Sequence, residues 1–301
     1  MLVETLSSIV NQNTPSTELE IIVVTQNDAL QQATLDVLAD SNHHVIYRPV
    51  DETISALRNQ GAAIAKGELF AFLDADVELS PNWLNAMISQ LEDTPTRALV
   101  SAVQKCSDDA PPLEKIRTAL SNAAVDTNVR FLPGRNLLVR RTTFEEIGGF
   151  PEHLVTCEDY YFTDMVHKKG HLYYSSAADY VHLGEDKKYS EMYKKEIWRG
   201  QSNLQSIKGR AIPLSELPSF LVPLWILVFF VATLLSLLSG EGLLVLISFV
   251  LLLLPVSLYS LRLFKICKGK VGLLDIFHFY GLYFPARIIG TLSGLFKVIK
   301  V

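Results

Sequence analysis

Two stretches near the carboxyl end, Phe220–Leu238 and Leu243–Leu261, each run for 19 residues without one charged side chain. A helix rises about 1.5 Å per residue, so each stretch is close to the roughly 20 residues that cross the hydrocarbon of a bilayer. Helices this apolar, with no polar face, have nothing to present to water, so a transmembrane hairpin is the better reading than two core helices of a soluble protein. Ser239, Gly240, Glu241 and Gly242 supply the turn. Lys208 and Arg210 precede the first span, and Arg262, Lys265, Lys268 and Lys270 follow the second, which puts both flanks on the cytoplasmic side. Val271–Leu295 is apolar but interrupted by Asp275, His278, Gly281, Pro285 and Arg287, with Lys297 and Lys300 beyond. It is expected to lie in the inner interface as an amphipathic helix rather than to span. The expected organisation is a soluble domain over 1–212, a hairpin over 213–262 and a basic loop with an interfacial helix over 263–301. That describes a multi-pass protein of the inner, cytoplasmic membrane with its large domain in the cytoplasm.

Composition limits what the soluble part does. A formal net charge of −5 offers no basic excess to neutralise a phosphate backbone, so no nucleic-acid partner is expected. Cys106, Cys157 and Cys267 are widely and irregularly spaced, with no metal-ligand pattern and no paired framework, as in a reducing compartment. Met1–Asn13 carries Glu4 and no apolar core behind basic residues, unlike a secretory signal. A transporter is excluded because two short-linked spans enclose no pathway unless the chain oligomerises.

Up to about Leu214 the chain alternates helical and strand signals, the pattern of an α/β domain with a largely parallel sheet. Leu2, Leu6, Ile9 and Val10 form a helical stripe; Glu20–Thr25 is a buried-strand run; Leu30–Leu38 is helical; Val45–Tyr47 is a short strand. Ser55–Ala65 reads as a helix closed by Gly67. Leu69–Leu73 is an apolar strand running into Asp74-Ala75-Asp76, and Pro81 then opens a helix containing Trp83, Leu84, Met87, Ile88 and Leu91. Ala98–Val103 is a further strand.

Three places carry chemistry. Asp74 and Asp76 end a strand, where open α/β sheets bind ligands, and two carboxylates there can hold a hard divalent cation against a diphosphate. An isolated pair of this kind is also an ordinary acidic turn ahead of a helix. Glu158 and Asp159 lead into Tyr160, Tyr161 and Phe162. Acids at a helix start favour the positive end of the dipole, but at a pocket edge one can take a proton from a hydroxyl. His182 follows Tyr180 and Val181, with Trp198, Arg199 and Gly200 further on. A lone histidine either packs or, as neutral imidazole, ligates a metal.

Taken in order, the chain resembles the family 2 glycosyltransferases, which have the GT-A nucleotide-diphospho-sugar transferase fold. The resemblance is carried by Leu6-Ser7-Ser8-Ile9-Val10-Asn11-Gln12, Glu20-Ile21-Ile22-Val23-Val24, and Leu57-Arg58-Asn59-Gln60-Gly61 with Ala65-Lys66-Gly67. Further on it is carried by Phe72-Leu73-Asp74-Ala75-Asp76 with Pro81-Asn82-Trp83-Leu84, Gly134-Arg135-Asn136 with Arg140-Arg141, Glu146-Ile147-Gly148-Gly149-Phe150, and Glu158-Asp159. These cover nearly all of residues 1–210. The resemblance implies a Rossmann-like, mostly parallel sheet flanked by helices. It implies that Asp74 and Asp76 hold Mg2+ or Mn2+ against the phosphates of a UDP- or GDP-sugar, with His182 near the metal. Asp159 becomes the base that deprotonates the acceptor for an inverting displacement. Arg58, Asp28 and Arg199 fall on the donor side; Gly134, Asn136 and Glu158 border the acceptor.

Two departures from the family carry expectations of their own. The family's usual first strand has no counterpart ahead of Leu2; its place lies between the strands around Ile22 and Phe72, where its absence would leave unpaired backbone groups unless the true start lies upstream of Met1 or something else fills the gap. Thr25-Gln26-Asn27-Asp28 stands where paired aspartates usually read the nucleotide, and Asp28 substitutes in part. The reading that follows is a membrane-anchored, metal-dependent transferase of cell-envelope polysaccharide synthesis acting on a lipid-linked or polysaccharide acceptor beside membrane lipid. A processive synthase is a narrower version, but Glu196-Ile197-Trp198-Arg199-Gly200 lacks the Gln-x-x-Arg-Trp signature. The alternative is a degenerate, non-catalytic transferase-like membrane scaffold or partner subunit.

Overall fold

The computed structural model describes residues 1–14, 18–202, 214 and 216–299, the side chains only as far as Leu295 in the last helix. Lys208, Arg210 and Lys300, expected as basic flanks, lie outside the described residues, as does the boundary expected at 212. The chain divides into two compact units, Met1–Ser107 with Ser121–Glu185, and Asp108–Leu120 with Asp186–Val301.

The first unit has the mixed α/β architecture expected from the sequence. It begins with α1 (Leu2–Val10), β1 (Ile21–Thr25), α2 (Gln32–Leu38), β2 (His43–Tyr47), α3 (Ile54–Ile64), β3 (Leu69–Leu73), β4 (Val77–Leu79), α4 (Trp83–Glu92) and β5 (Arg97–Lys105). After α5 (Pro112–Ser121), which belongs largely to the second unit, come β6 (Thr127–Val129), β7 (Asn136–Arg140), α6 (Arg141–Glu146), α7 (Glu158–His167) and β8 (His171–His182). The order β3-β7-β5-β8-β4, with β6 on β8, forms one sheet, and β1 with β2 forms another. Pairing is parallel in β1–β2 and along the long β5–β8 ladder, and antiparallel where β7, β4 and β6 join.

β1 and β3, between which the sequence reading leaves a gap, are not paired with each other. Among the described residues no strand covers the free edge of either one. A cavity of about 230 Å³ lies between them, lined by Leu6 and Ile9 of α1, Ile22 and Val24 of β1, and Ala71 and Leu73 of β3. Helix α3 bridges the two sheets: Gly61 lies against the Ile22 and Val24 methyls, where a Cβ would stand 3.3 Å from Val24 Cγ2.

The core under the large sheet is aromatic. Phe70 and Phe72 point from alternate positions of β3 into a cluster with Phe144, Phe150 and Phe162. Phe150 and Phe162 stack at 3.9 Å, and Phe72 meets Phe150 edge-on at 4.9 Å. Because Phe162 belongs to α7, this packing fixes the helix whose first turn carries Glu158 and Asp159. Gly148 and Gly149 take left-handed φ values of 79° and 76° to end α6. Gly149 leaves room for the Asn59 amide, which accepts from Phe150 N at 2.8 Å and donates to Phe150 O at 2.9 Å.

The second unit contains α8 (Tyr189–Gly200), α9 (Leu217–Ser239), α10 (Gly242–Cys267) and α11 (Leu273–Ile299). Helices α9 and α10 are both long and apolar enough to cross a membrane. Pro255 has no N–H to give the Leu251 carbonyl four residues back, and the Trp225 indole of α9 supplies that hydrogen bond across the pair at 2.8 Å. Helix α8 is tied to its neighbours by charge. The nearly buried Glu196 carboxylate accepts from Arg117 at 2.6 Å and from Arg199 at 2.6 Å, and pairs with Arg287 at 3.6 Å. Burial pushes this carboxyl up, but the three guanidiniums more than offset it, and it is held below its ordinary value.

Helices α8 and α11 also touch backbone to backbone: Cβ atoms on Gly290 or Gly294 would collide with the Ile197 and Gln201 carbonyl oxygens. Gly290→Val is therefore expected to destabilise this unit by about 1–3 kcal/mol through overpacking, while Gly290→Ala costs less. A thermal melt of the detergent-solubilised chain measures it, and an unchanged midpoint for the valine variant contradicts the close approach.

Candidate active site

The first carboxylate of the site is set by the end of β3. Leu73 pairs with Asn136 of β7, and Asp74 N donates to Arg135 O at 3.0 Å, so Asp74 emerges beside the Gly134-Arg135 loop. Its carboxylate accepts from Arg58 Nη2 of α3 at 2.7 Å. The same guanidinium donates to Glu158 Oε1 at 3.2 Å and Gly134 O at 3.3 Å, and lies 5.0 Å from the centre of the Phe150 ring. Arg58 is thus a brace between β3, the 134 loop and α7. The sequence reading puts it against the donor; the structure turns its fork onto two carboxylates of the chain itself.

Asp76 is held from the other side. The chain turns after Ala75 into β4, which pairs Val77 with His182 at the end of β8. Asp76 Oδ2 lies 3.2 Å from His182 Nε2, and Leu183 N donates to Asp76 O at 2.8 Å. Gly184 leaves the space the Asp76 carboxylate occupies, since a Cβ there would overlap Oδ2. Behind the imidazole, Nδ1 lies 3.1 Å from the buried Glu185 Oε2. Burial pushes the His182 pKa down, yet hydrogen bonds to Asp76 and Glu185 prevail and it stands above its ordinary value. Asp76 and His182 form an oxygen-nitrogen pair suited to a divalent cation. Among the described residues no three such ligands converge, because Asp74 faces Arg58.

Asp159 occupies the first turn of α7. The turn is entered through Cys157, which has a left-handed φ of 64°, a strained geometry for a residue with a side chain. Asp159 Oδ1 accepts from Tyr160 N at 2.9 Å, and Oδ2 is 3.4 Å from Gly134 N. Burial first, and then the Glu158 charge, push its pKa up to about 6 against the pull of Arg58. A carboxylate whose pKa is raised toward neutrality is a competent proton acceptor.

Comparison with known proteins bears on the family and the fold. Residues 1–148 match the glycosyl transferase family 2 model, described as "Glycosyl transferase family 2". That region, just under half of the chain, is similar to glycosyltransferase family 2. Glycosyltransferase AglE of Haloferax volcanii is 24% identical over 233 residues, covering 75% of each chain. The poly(ribitol-phosphate) beta-glucosyltransferase of Bacillus spizizenii is 27% identical over 192 residues, 61% of this chain but only 30% of that one. Among solved structures, mannosyltransferase PcManGT of Pyrobaculum calidifontis, in complex with GDP-Man and Mn2+, superposes with a TM-score of 0.68. That match covers 98% of this chain and 84% of the other at 17% identity, and it shows the shared fold.

In the first unit Asp74, Glu158 and Gly134 O meet the Arg58 guanidinium, Asp159 lies beside Gly134 N, and Asp76 pairs with His182. Asp28 is exposed in the turn after β1, where Gln26 donates to Pro49 O at 2.7 Å and Glu52 O at 3.0 Å. Asn136 is a correction: expected on the acceptor side, it is fully buried, accepting from Trp83 Nε1 at 3.1 Å and Ala102 N at 2.7 Å. A polar side chain so satisfied holds β7, β5 and α4 together and has no face left for a sugar. Arg199 belongs to the second unit, where it serves Glu196. The sequence reading misses Gln104, Arg135 as a side chain, and Glu185. The signal for the last is its place three residues after His182, across Gly184.

Proposed function

We propose that the chain is a membrane-anchored, inverting glycosyltransferase that moves a sugar from a UDP- or GDP-sugar to a lipid-linked or polysaccharide acceptor at the cytoplasmic face. The observation that carries this reading is the single Arg58 fork joining Asp74 to Glu158, because it sets the diphosphate-facing strand end beside the base Asp159. Asp159 accepts the proton of the acceptor hydroxyl as that oxygen attacks the anomeric carbon, and one displacement inverts the configuration. Gly134 and Glu158 border the acceptor. Asp28, exposed after β1, is assigned to the nucleotide side. Asp76 and His182 would hold Mg2+ or Mn2+, which would supply charge neutralisation for the leaving nucleoside diphosphate. An imidazole ligand favours Mn2+. The GDP-Man and Mn2+ bound to the Pyrobaculum relative support this choice of donor and cation. Helices α9 and α10 support the acceptor, since holding the chain at the membrane raises its encounter with a lipid-borne substrate.

The separation of β1 from β3 favours the second reading, a non-catalytic membrane scaffold. Transfer of label from UDP- and GDP-sugars into extractable lipid or polymer, by membranes carrying the full chain, separates the two. Asp76→Ala is expected to weaken Mn2+-dependent donor use by about 10- to 100-fold. Label entering nothing from any donor leaves the scaffold.

A further inference from the structure

The buried carboxylate of Glu185 is spent on the ring nitrogen of His182 that faces away from Asp76. Its side chain is 1% exposed, and its Oε2 receives three groups: His182 Nδ1 at 3.1 Å, Gln104 Nε2 at 3.0 Å and Arg135 Nη1 at 3.3 Å. Those partners are themselves fixed. Gln104 Oε1 accepts from Arg135 Nη1 at 2.5 Å and from Tyr180 OH at 3.3 Å, and Gln104 N is bonded to Asn122 Oδ1 at 3.1 Å. Glu185 N donates to His182 O at 3.2 Å, closing a turn over Gly184, whose bare Cα admits the Asp76 carboxylate. The four residues from His182 to Glu185 thus wrap Asp76 on one side and lock the imidazole on the other.

A burial this complete is costly for a carboxylate unless each lone pair finds a donor. Arg135 and Gln104 would meet that need without a histidine, so the bond to Nδ1 has a separate consequence. The outer torsion of a histidine is broad, and either nitrogen can turn toward a neighbour. In this structure Nε2 itself lies 3.2 Å from Asp76 Oδ2; with Nδ1–H committed to Glu185, a neutral ring carries its lone pair on Nε2, on the side of that carboxylate. Carboxylates placed behind metal-bound histidines do this generally, fixing the tautomer and the ring plane.

We infer that Glu185 is a positioning residue that orients His182 so that Nε2 and Asp76 Oδ2 together present one oxygen and one nitrogen to a divalent cation. This rests on the transferase reading above. It assigns to the segment His182-Leu183-Gly184-Glu185 a role in cation affinity, so that the site needs a glycine at its third position and a carboxylate at its fourth.

The test is Mn2+ uptake by the detergent-purified full chain, read from the loss of the free Mn2+ electron-paramagnetic-resonance signal with UDP or GDP present. Glu185→Gln is expected to weaken uptake about tenfold or more, as removal of such a partner usually does. In a His182→Ala background the same change is expected to cost nothing further, because the carboxylate acts through the ring. Glu185→Asp, which keeps the charge but draws it back by one methylene, serves the same comparison if the glutamine variant does not fold. In kinetics the variant raises the Mn2+ concentration needed for half-maximal rate more than it lowers the rate at saturating Mn2+. Unchanged uptake by both variants overturns the inference, as does the same loss in both backgrounds, which marks Glu185 as structural only. Native chain that takes up no Mn2+ with either nucleotide overturns the transferase reading with it, whereas native uptake indifferent to Glu185 overturns this inference alone.

Discussion

Replacing Asp159 with asparagine is expected to slow sugar transfer by about 10²- to 10⁴-fold, the usual worth of a positioned general base. Mn2+-dependent nucleotide binding should survive, because Asp159 touches Gly134 and its own helix and not the Asp76–His182 pair. The native enzyme carries a related signature in pH. With its pKa raised to about 6, Asp159 is ionised above that value and protonated below it. kcat/KM is therefore expected to level off above pH 6 and to fall about tenfold per unit on the acid side. Stability moves in the opposite sense. A carboxyl whose pKa is higher in the fold than in the unfolded chain costs the fold when ionised, and that cost disappears as pH drops below its unfolded value near 4. Asp159→Asn should thus stabilise the chain at pH 8 by roughly 1–3 kcal/mol and have little effect at pH 4. A variant that loses nucleotide binding and transfer together, or a native profile flat through pH 6, contradicts the separate role given to Asp159.

Arg58→Ala is expected to be the more disruptive change. One guanidinium, 12% exposed, separates Asp74 from Glu158 and covers the Phe150 ring, and alanine leaves two carboxylates facing each other across the site. Removing one partner of a buried ion pair costs about 3–5 kcal/mol, reduced here to roughly 1–4 because Asp74 is partly open to solvent. Arg58 also draws the Asp159 pKa down, so its loss should move the acid limb of the pH profile above 6. Arg58→Lys keeps the charge but not the fork, and is expected to restore the pH midpoint better than the geometry of the site. Thermal melts and the pH dependence of kcat/KM measure both effects. An alanine variant with an unmoved midpoint and unchanged melting contradicts Arg58 as the brace of the site.

Much of this site is legible in the sequence because it is local. Apolar runs closed by aspartates, the helix after Pro81 and the adjacent acids Glu158 and Asp159 lie within single elements, and each falls where the pattern places it. What is not legible depends on partners far along the chain. Strand β8 carries Ser175, Ser176, Ala177, Ala178 and Asp179 across a register shift against β5, so its apolar alternation breaks in the middle. Strands β4 and β6, three residues each, are too short to show a period. Asn136 looks like a surface amide until Trp83, 53 positions away, is seen to donate to it. Arg58 reads as a ligand for a phosphate because nothing local shows that Asp74 and Glu158 converge on it. Glu185 looks like a loop acid for the same reason. The family resemblance names the reaction, while the fold shows which side chains hold the others in place.

The central proposal is that Asp76 and His182 hold the cation of a nucleotide site in this chain despite the open edge between β1 and β3. Calorimetric titration of the detergent-purified full chain with UDP and with GDP, first with Mn2+ and then with the metal chelated, tests it most directly. Saturable binding of one nucleotide that needs Mn2+ and is lost in Asp76→Ala is the predicted result. No binding of either nucleotide in the presence of Mn2+, or binding indifferent to chelation and to Asp76, contradicts it.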